Sequence, residues 1–445
     1  MNLAARIKNS RWLFWSLLGT LLLMIMVRYA FQTDVPRVLF LAIISLVAFC
    51  GDRSQIVALC MCFIPMHESI DFYYALVICI AVYMFKYLKS VRFGYNLLIV
   101  LAIAVWELLH CFSTSFDIVK FLVYIVPFIV LAVLIASDVK ELDYPFIVRA
   151  FAYSTLGITL ILFIRVLFFA DFNFALALSQ LQRMGSDLHS GIEEVAVSGG
   201  QINPNSLGII AVLASTGLMQ LRSVNKSKKS DMIVMCATLA LAALGTSRTY
   251  LACLVLMVIL LVFSEKGTIV NKLRLILVLF LVIAVAVVAM AILFPETFAF
   301  YITRFLTEDI TTGRDDLFKN YHYFIENNPK VMFFGVGLQD FGDRLINYYR
   351  VANNGPHNFV QEIVVAWGIP GLLLLAIQFF SMYWSSRKAN AKITLLNWIP
   401  LIIIIFKSLA GQLLTSSYTM LALAFAYLSL CQGFNSTNSS EQSRL

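Results

Sequence analysis

The chain has 445 residues, of which 60% are hydrophobic and 13% charged, with a formal net charge of +8. Soluble domains carry about 25% charged residues, so a soluble globular protein is excluded and a polytopic membrane protein is expected. The positive balance calls for no nucleic-acid partner, because the cytoplasmic loops of membrane proteins are basic in any case.

A membrane-spanning helix needs about 20 apolar residues, fewer where protein covers its ends. Apolar stretches fall at 12–31, 36–50, 54–66, 71–88, 95–112, 118–137, 145–170, 205–221, 231–246, 248–263, 272–294, 358–380, 393–410 and 413–431. The fold class is therefore all-α, with about 12–14 transmembrane helices. The third stretch is short and reads as a half-helix, and 231–263 can be divided in more than one way. The first run follows Arg6, Lys8 and Arg11 without a small-residue cleavage site, so it is expected to remain as a helix. All eight cysteines lie in or beside apolar runs, as small core residues do.

Lysine and arginine cluster in alternate loops: Lys86 to Arg92, Arg222 to Lys229, Lys266 to Arg274, and Arg387 to Lys392. The positive-inside rule then places both termini in the cytoplasm and the two largest polar loops outside. The expected organisation is N-terminal spans at 1–170, a first extracytoplasmic loop at 171–204 and central spans at 205–294. A large extracytoplasmic loop with an amphipathic helix follows at 295–357, then C-terminal spans at 358–431 and a cytoplasmic tail at 432–445. Arg28, Lys120, Arg165, Arg248 and Lys407, with His67, Glu68, Glu107 and His110, fall near the outer ends of spans. Singly, each is explained by snorkelling or a local ion pair. As a set they predict a polar, cation-rich pocket at the outer leaflet.

In the first outer loop Arg183 follows a short leucine-bearing segment. Asn203-Pro204 signals a turn, after which Asn205 or Ser206 is expected to cap a helix. At 245–250, Gly-Thr-Ser-Arg-Thr-Tyr places Arg248 in a tight turn, suited to presenting a planar guanidinium to phosphate oxygens.

The second outer loop holds eight acids and six bases between Pro295 and His357, so it is no generic basic membrane patch. Thr311-Thr312-Gly313-Arg314-Asp315-Asp316 offers cap candidates and then acids in a first turn. Leu317, Tyr321, Phe324 and Ile325 make one apolar stripe, and Asn327-Asn328-Pro329 predicts the helix end. Phe333-Phe334-Gly335-Val336-Gly337 suits close backbone packing. The loop closes at Pro356-His357-Asn358-Phe359, and Gly368-Ile369-Pro370-Gly371 lies inside the span that follows.

In chain order, Arg183, Thr-x-Ser-Arg at Arg248, Gly313-Arg314 and His357-Asn358-x9-Gly-x-x-Gly together resemble the O-antigen ligase/O-antigen polymerase family of bacterial membrane glycosyltransferases. The resemblance covers about 180–371. It implies a C-type glycosyltransferase-like bundle in the bacterial inner membrane with an extracytoplasmic active site. It further implies an undecaprenyl-diphosphate-linked glycan donor, a glycan acceptor and no required metal or other cofactor, and it makes a chain-length regulator a candidate partner. On that reading Arg183, Arg248 and Arg314 bind the donor diphosphate, with Asn358 also at the substrate site. His357 is the catalytic base, and Asn358 orients it or caps the next helix. Gly368 and Gly371 let that helix pack tightly. Polymerase is the leading expectation and ligase the alternative. A lipid-linked glycan transporter ranks below both, because the halves show no repeat and the polar residues gather at one membrane face rather than the midplane.

Overall fold

The computed structural model describes residues 11–67, 72–111 except 93, 117–174, 203–264 except 246, 295–303, 314–338 and 356–432 except 391 and 415, with isolated residues between 270 and 292. Arg183, Glu68, Gly313 and most of the 272–294 stretch lie outside the described residues. The fold is an all-α polytopic membrane bundle.

Its first helices are α1 (Arg11–Tyr29), α2 (Arg37–Cys50), α3 (Arg53–Met66), α4 (Phe72–Tyr87), α5 (Tyr95–Cys111), α6 (Ile118–Ala136) and α7 (Tyr144–Phe169). The central part holds α8 (Pro204–Ser223), α9 (Lys229–Ala243), α10 (Arg248–Ser264) and α11 (Pro295–Ile302). Then come α12 (Arg314–Asn327), α13 (Pro329–Phe334), α14 (Phe359–Ala389), α15 (Leu395–Leu409) and α16 (Ser417–Leu430). Five helices are long and apolar enough to cross a membrane, and several shorter apolar helices accompany them. The 231–263 run divides into α9 and α10.

The short third stretch is the centre of the bundle. Nearly every side chain of α3 is buried, the signature of a helix apolar on all sides and enclosed by others. It packs on α7, α16 and α4. Its start is fixed by a capping box, in which the Asp52 side chain accepts from the Gln55 N–H at 2.8 Å and Gln55 Oε1 accepts from the Asp52 N–H at 2.8 Å.

The two ends of the bundle differ in chemistry. One end is clamped by ion pairs: Arg11–Asp143, Arg53–Glu141 at 2.9 Å and Arg149–Asp231 at 3.1 Å. The helices α7, α8, α14 and α15 then run to the opposite end, where the first turns of α8, α10, α14 and α16 meet the last turn of α15.

At that opposite end, the Gly-Val-Gly turn after α13 lies along α14 like a strand beside its partner. Val336 and Gly337 donate their N–H groups to the Val365 and Ala366 carbonyls at 2.8 and 2.7 Å. Two glycines make this approach possible. A methyl on Gly335 would sit 2.3 Å from the Ala366 oxygen, and one on Gly368 would sit 2.5 Å from the Phe333 oxygen. Gly368 also breaks α14, with φ +66° and ψ −166°, a region essentially restricted to glycine. Gly371 packs closely on its own helix, where a methyl would lie 2.2 Å from the Trp367 Cβ.

Glu107 secures the same turn. It is fully buried, and its carboxylate accepts from the Leu338 N–H at 2.9 Å and from the Trp367 indole at 2.7 Å. The amphipathic helix is present as α12, with Tyr321 and Phe324 buried and the helix ending at Asn327.

Candidate active site

The site forms where α14 begins. His357 has φ +50°, the left-handed region that a histidine adopts only in special turns. Asn358 then returns to extended backbone and caps α14, its Oδ1 accepting from Val360 N–H at 3.0 Å and Gln361 N–H at 3.3 Å. The same side chain donates through Nδ2 to the Leu409 carbonyl at 3.3 Å, at the C-terminus of α15. Arg314, the first residue of α12, donates to the next carbonyl, Ala410, at 3.2 Å. Gln361 ties the two elements together by donating to the Phe318 carbonyl at 3.0 Å.

Lys407 forms the third side. It is buried at 8% exposure in the last turn of α15, with Nζ donating to Gln412 O at 2.6 Å and Thr419 Oγ1 at 3.0 Å. The ammonium lies 5.0 Å from the centroid of the Tyr418 ring, a cation–π contact. Below, the fully buried Glu362 carboxylate accepts from Leu413 and Leu414 N–H at 2.6 and 3.0 Å, which fixes the turn between α15 and α16.

The start of α8 closes the fourth side, and one expectation is corrected there. Asn203 is the cap, its side chain accepting from the Asn205 N–H at 2.9 Å. Pro204 at the first helical position has no N–H to satisfy, so the cap falls before it. Asn205 is thereby released to accept from Ser247 Oγ at 2.6 Å. Ser247 in turn accepts from Tyr250 N–H at 3.2 Å at the start of α10, next to Arg248.

These elements enclose a cleft of about 460 Å³ lined by Asn205, Thr249, Arg314, His357, Lys407, Ser416 and Tyr418 among others. Two full cations and an imidazole reach it, and no carboxylate is among its described lining residues. Arg248 stands beside it, close enough to Arg314 that their repulsion, added to burial, lowers the Arg314 pKa. Burial, with the charges of Arg314 and Lys407, also depresses the His357 pKa below its ordinary value. His357 is therefore neutral at pH 7 and able to accept a proton. Tyr418 is 2% exposed, and its hydroxyl has no hydrogen-bond partner among the described residues. The arrangement suits an anion, which would relieve the cation repulsion and give the hydroxyl a partner.

Arg248, Arg314, His357 and Asn358 are thus brought to one place. Arg28 and Arg165 do not line the cleft; Arg165 instead lies over the Phe169 ring at 5.7 Å. Sequence alone does not bring Asn205 and Tyr418 into the site, and it gives Lys407 no individual role there. A lysine ending an otherwise apolar run is the available signal. Among the described residues, no group of three or more His, Cys, Asp and Glu side chains is placed to hold a metal ion.

Residues 232–376 match the model of the O-antigen ligase family. The chain carries an O-antigen ligase-family domain. The matched stretch contains Arg248, Arg314, His357, Asn358 and both glycines of the Gly-x-x-Gly element, whereas Arg183 and Lys407 fall outside it. No curated protein matches the chain. The match and the membrane helices together support an O-antigen ligase/polymerase-type function with lipid-linked glycan substrates in a membrane setting.

Proposed function

We propose that the protein is a polysaccharide polymerase of the O-antigen, capsule or exopolysaccharide kind. It transfers an undecaprenyl-diphosphate-linked glycan onto a sugar hydroxyl of another lipid-linked repeat unit at the outer face of the plasma membrane. The observation that carries this reading is the cleft that His357, Arg314 and Lys407 line together, with no carboxylate among its described lining residues. In the reaction the bond from the anomeric carbon to the diphosphate breaks and the acceptor oxygen bonds to that carbon. The acceptor proton passes to His357, and the lipid diphosphate leaves with an added negative charge. Fixed cations at a low-dielectric boundary stabilise that charge as it forms, a role that falls to Arg314, Arg248 and Arg183, joined by Lys407. In this scheme they supply the charge that a divalent ion supplies elsewhere. In this scheme Tyr418 donates to a diphosphate oxygen. Asn358 acts by holding the start of α14, and so His357, against α15.

The matching family is described as O-antigen ligase, which supports the second reading, transfer of a finished chain to a lipid A-core acceptor. Deleting the gene and resolving the surface glycan by electrophoresis separates the two. Single repeat units on the anchor identify a polymerase. Complete chains stranded on the lipid diphosphate above bare core identify a ligase, and an unchanged ladder removes both.

A further inference from the structure

At the ion-paired end of the bundle, away from His357, a second cleft of about 1030 Å³ opens between the start of α5, the 136–140 turn and the ends of α14 and α16. Among the described residues, Arg92, Lys140 and Lys388 line it, against one carboxylate, Asp138. That carboxylate is engaged, accepting from the Lys140 N–H at 3.1 Å. The walls are set by hydrogen bonds that owe nothing to a ligand. The Arg92 N–H donates to the Ala136 carbonyl at 2.8 Å, and Val91 bridges to Ser137. Ser385 and Tyr427, on α14 and α16, join their hydroxyls at 3.2 Å. Asn96, in the first turn of α5, also lines the cleft. It is 8% exposed, and its Oδ1 has no hydrogen-bond partner among the described residues. A preformed polar cleft with three cations to one acid among its described lining residues is suited to a phosphate-bearing ligand, and the unmatched Asn96 Oδ1, an acceptor, calls for a hydroxyl on that same ligand.

The surroundings indicate what else that ligand carries. From the rim of the cleft, α5 presents a row of exposed apolar side chains, Tyr95, Leu98 and Leu101. On α14 a second row, Trp384, Phe380 and Ile377, starts beside Ser385, which lines the cleft. The two helices pack against each other. Exposed apolar rows are ordinary on membrane helices; two of them starting at one cationic cleft match a phosphate headgroup with its acyl chains.

We propose that this cleft is a binding site for an anionic glycerophospholipid, its phosphate held by Arg92, Lys140 and Lys388, a headgroup hydroxyl donating to Asn96 Oδ1, and its acyl chains along α5 and α14. The site is separate from the glycan-transfer reading and stands or falls without it.

The test uses the full chain, purified in detergent, stripped of lipid and then titrated. Phosphatidylglycerol, phosphatidylcholine, glycerol 3-phosphate and inorganic phosphate are compared by native mass spectrometry and thermal unfolding. Phosphatidylglycerol is expected to be retained and to raise the melting temperature, with phosphatidylcholine well behind. The exposed pair Arg92→Gln/Lys388→Gln is expected to bind it roughly thirtyfold more weakly, while Lys229→Gln, an exposed lysine elsewhere on the chain, leaves binding unchanged. Asn96→Asp, which brings a second carboxylate into the cleft, is expected to abolish retention. Equal binding of the two lipids, or an equal loss in Lys229→Gln, overturns the site in favour of general surface charge. Glycerol 3-phosphate or inorganic phosphate binding as tightly as the lipid overturns the lipid assignment.

Discussion

Arg314 and Asn358 donate to consecutive carbonyls, Ala410 and Leu409, so the first turns of α12 and α14 are both anchored to the end of α15. Three segments far apart in sequence are thereby held around one cleft. Asn358 does two jobs there, capping α14 through Oδ1 and reaching α15 through Nδ2. Asn358→Ala loses both, and loss of a cap costs about 1 kcal/mol. Asn358→Asp keeps the cap and exchanges the donor to Leu409 for a charged acceptor oxygen. Thermal unfolding in detergent should therefore place the Asp variant near wild type and the Ala variant clearly below it, while glycan transfer falls in both. An Asp variant with full transfer would show that the tie to α15 does not position His357.

The field around His357 makes a pH prediction. Burial disfavours its charged form, and Arg314 and Lys407 add repulsion, so its pKa lies below the ordinary 6.5. Transfer by the wild type should rise with pH through that depressed value and be flat at pH 7. Arg314→Gln removes one repelling charge, so the acid limb of its residual activity should move up toward pH 6.5. The same shift bears on stability. The unfolded chain binds this proton first on acidification, so the contribution of His357 is complete above about pH 6.5 and is lost as pH falls through the folded value. An acid limb that stays in place in Arg314→Gln would remove His357 as the titrating base.

Close packing at the Gly-x-x-Gly element predicts a contrast between glycines. Gly368→Ala puts a methyl 2.5 Å from the Phe333 oxygen and demands a positive φ, so a loss of about 2–3 kcal/mol or more is expected. Gly19, in α1, has no neighbouring atom within 4 Å of the position a methyl would take, and Gly19→Ala should be neutral or mildly stabilising, since alanine favours helix. Melting temperatures of the two variants, side by side, check this. Equal values would mean that the strand-like contact between Val336 and Val365 does not contribute to stability.

Much of this architecture is legible in the sequence, for identifiable reasons. Apolar runs announce the spans because hydrocarbon tolerates so little else, and the stripe Leu317, Tyr321, Phe324 announces α12. His357 and Arg314 stand out because they sit in short motifs at loop ends. Lys407 does not, since a lone lysine at the end of an apolar run reads the same whether it snorkels or lines a cleft. Its setting depends on Tyr418 and Thr419, which the chain reaches only after the next turn. Glu107 misleads for a related reason. An acid in a span signals function by default, yet this one receives backbone and indole N–H groups from segments more than 200 residues away. Asn205 is easily taken for the cap in place of Asn203 because adjacent polar residues compete for one role, and only the position of Pro204 decides between them.

The proposed chemistry assigns different losses to different residues. His357→Ala removes the proton acceptor, which typically costs about 10²–10⁴-fold in rate. Arg248→Ala and Lys407→Met each remove one fixed charge from the leaving diphosphate, with about 10²–10³-fold expected for each. Tyr418→Phe deletes only the unpartnered hydroxyl and keeps the ring under Lys407, so its loss should be smaller, about tenfold, with no drop in stability. Glycan chain length in cells carrying each variant, with membrane levels measured in parallel, orders them. His357→Ala and Arg248→Ala should leave chains unextended while the protein inserts normally. Wild-type chains in both would sink the assignment of this cleft as the transfer site.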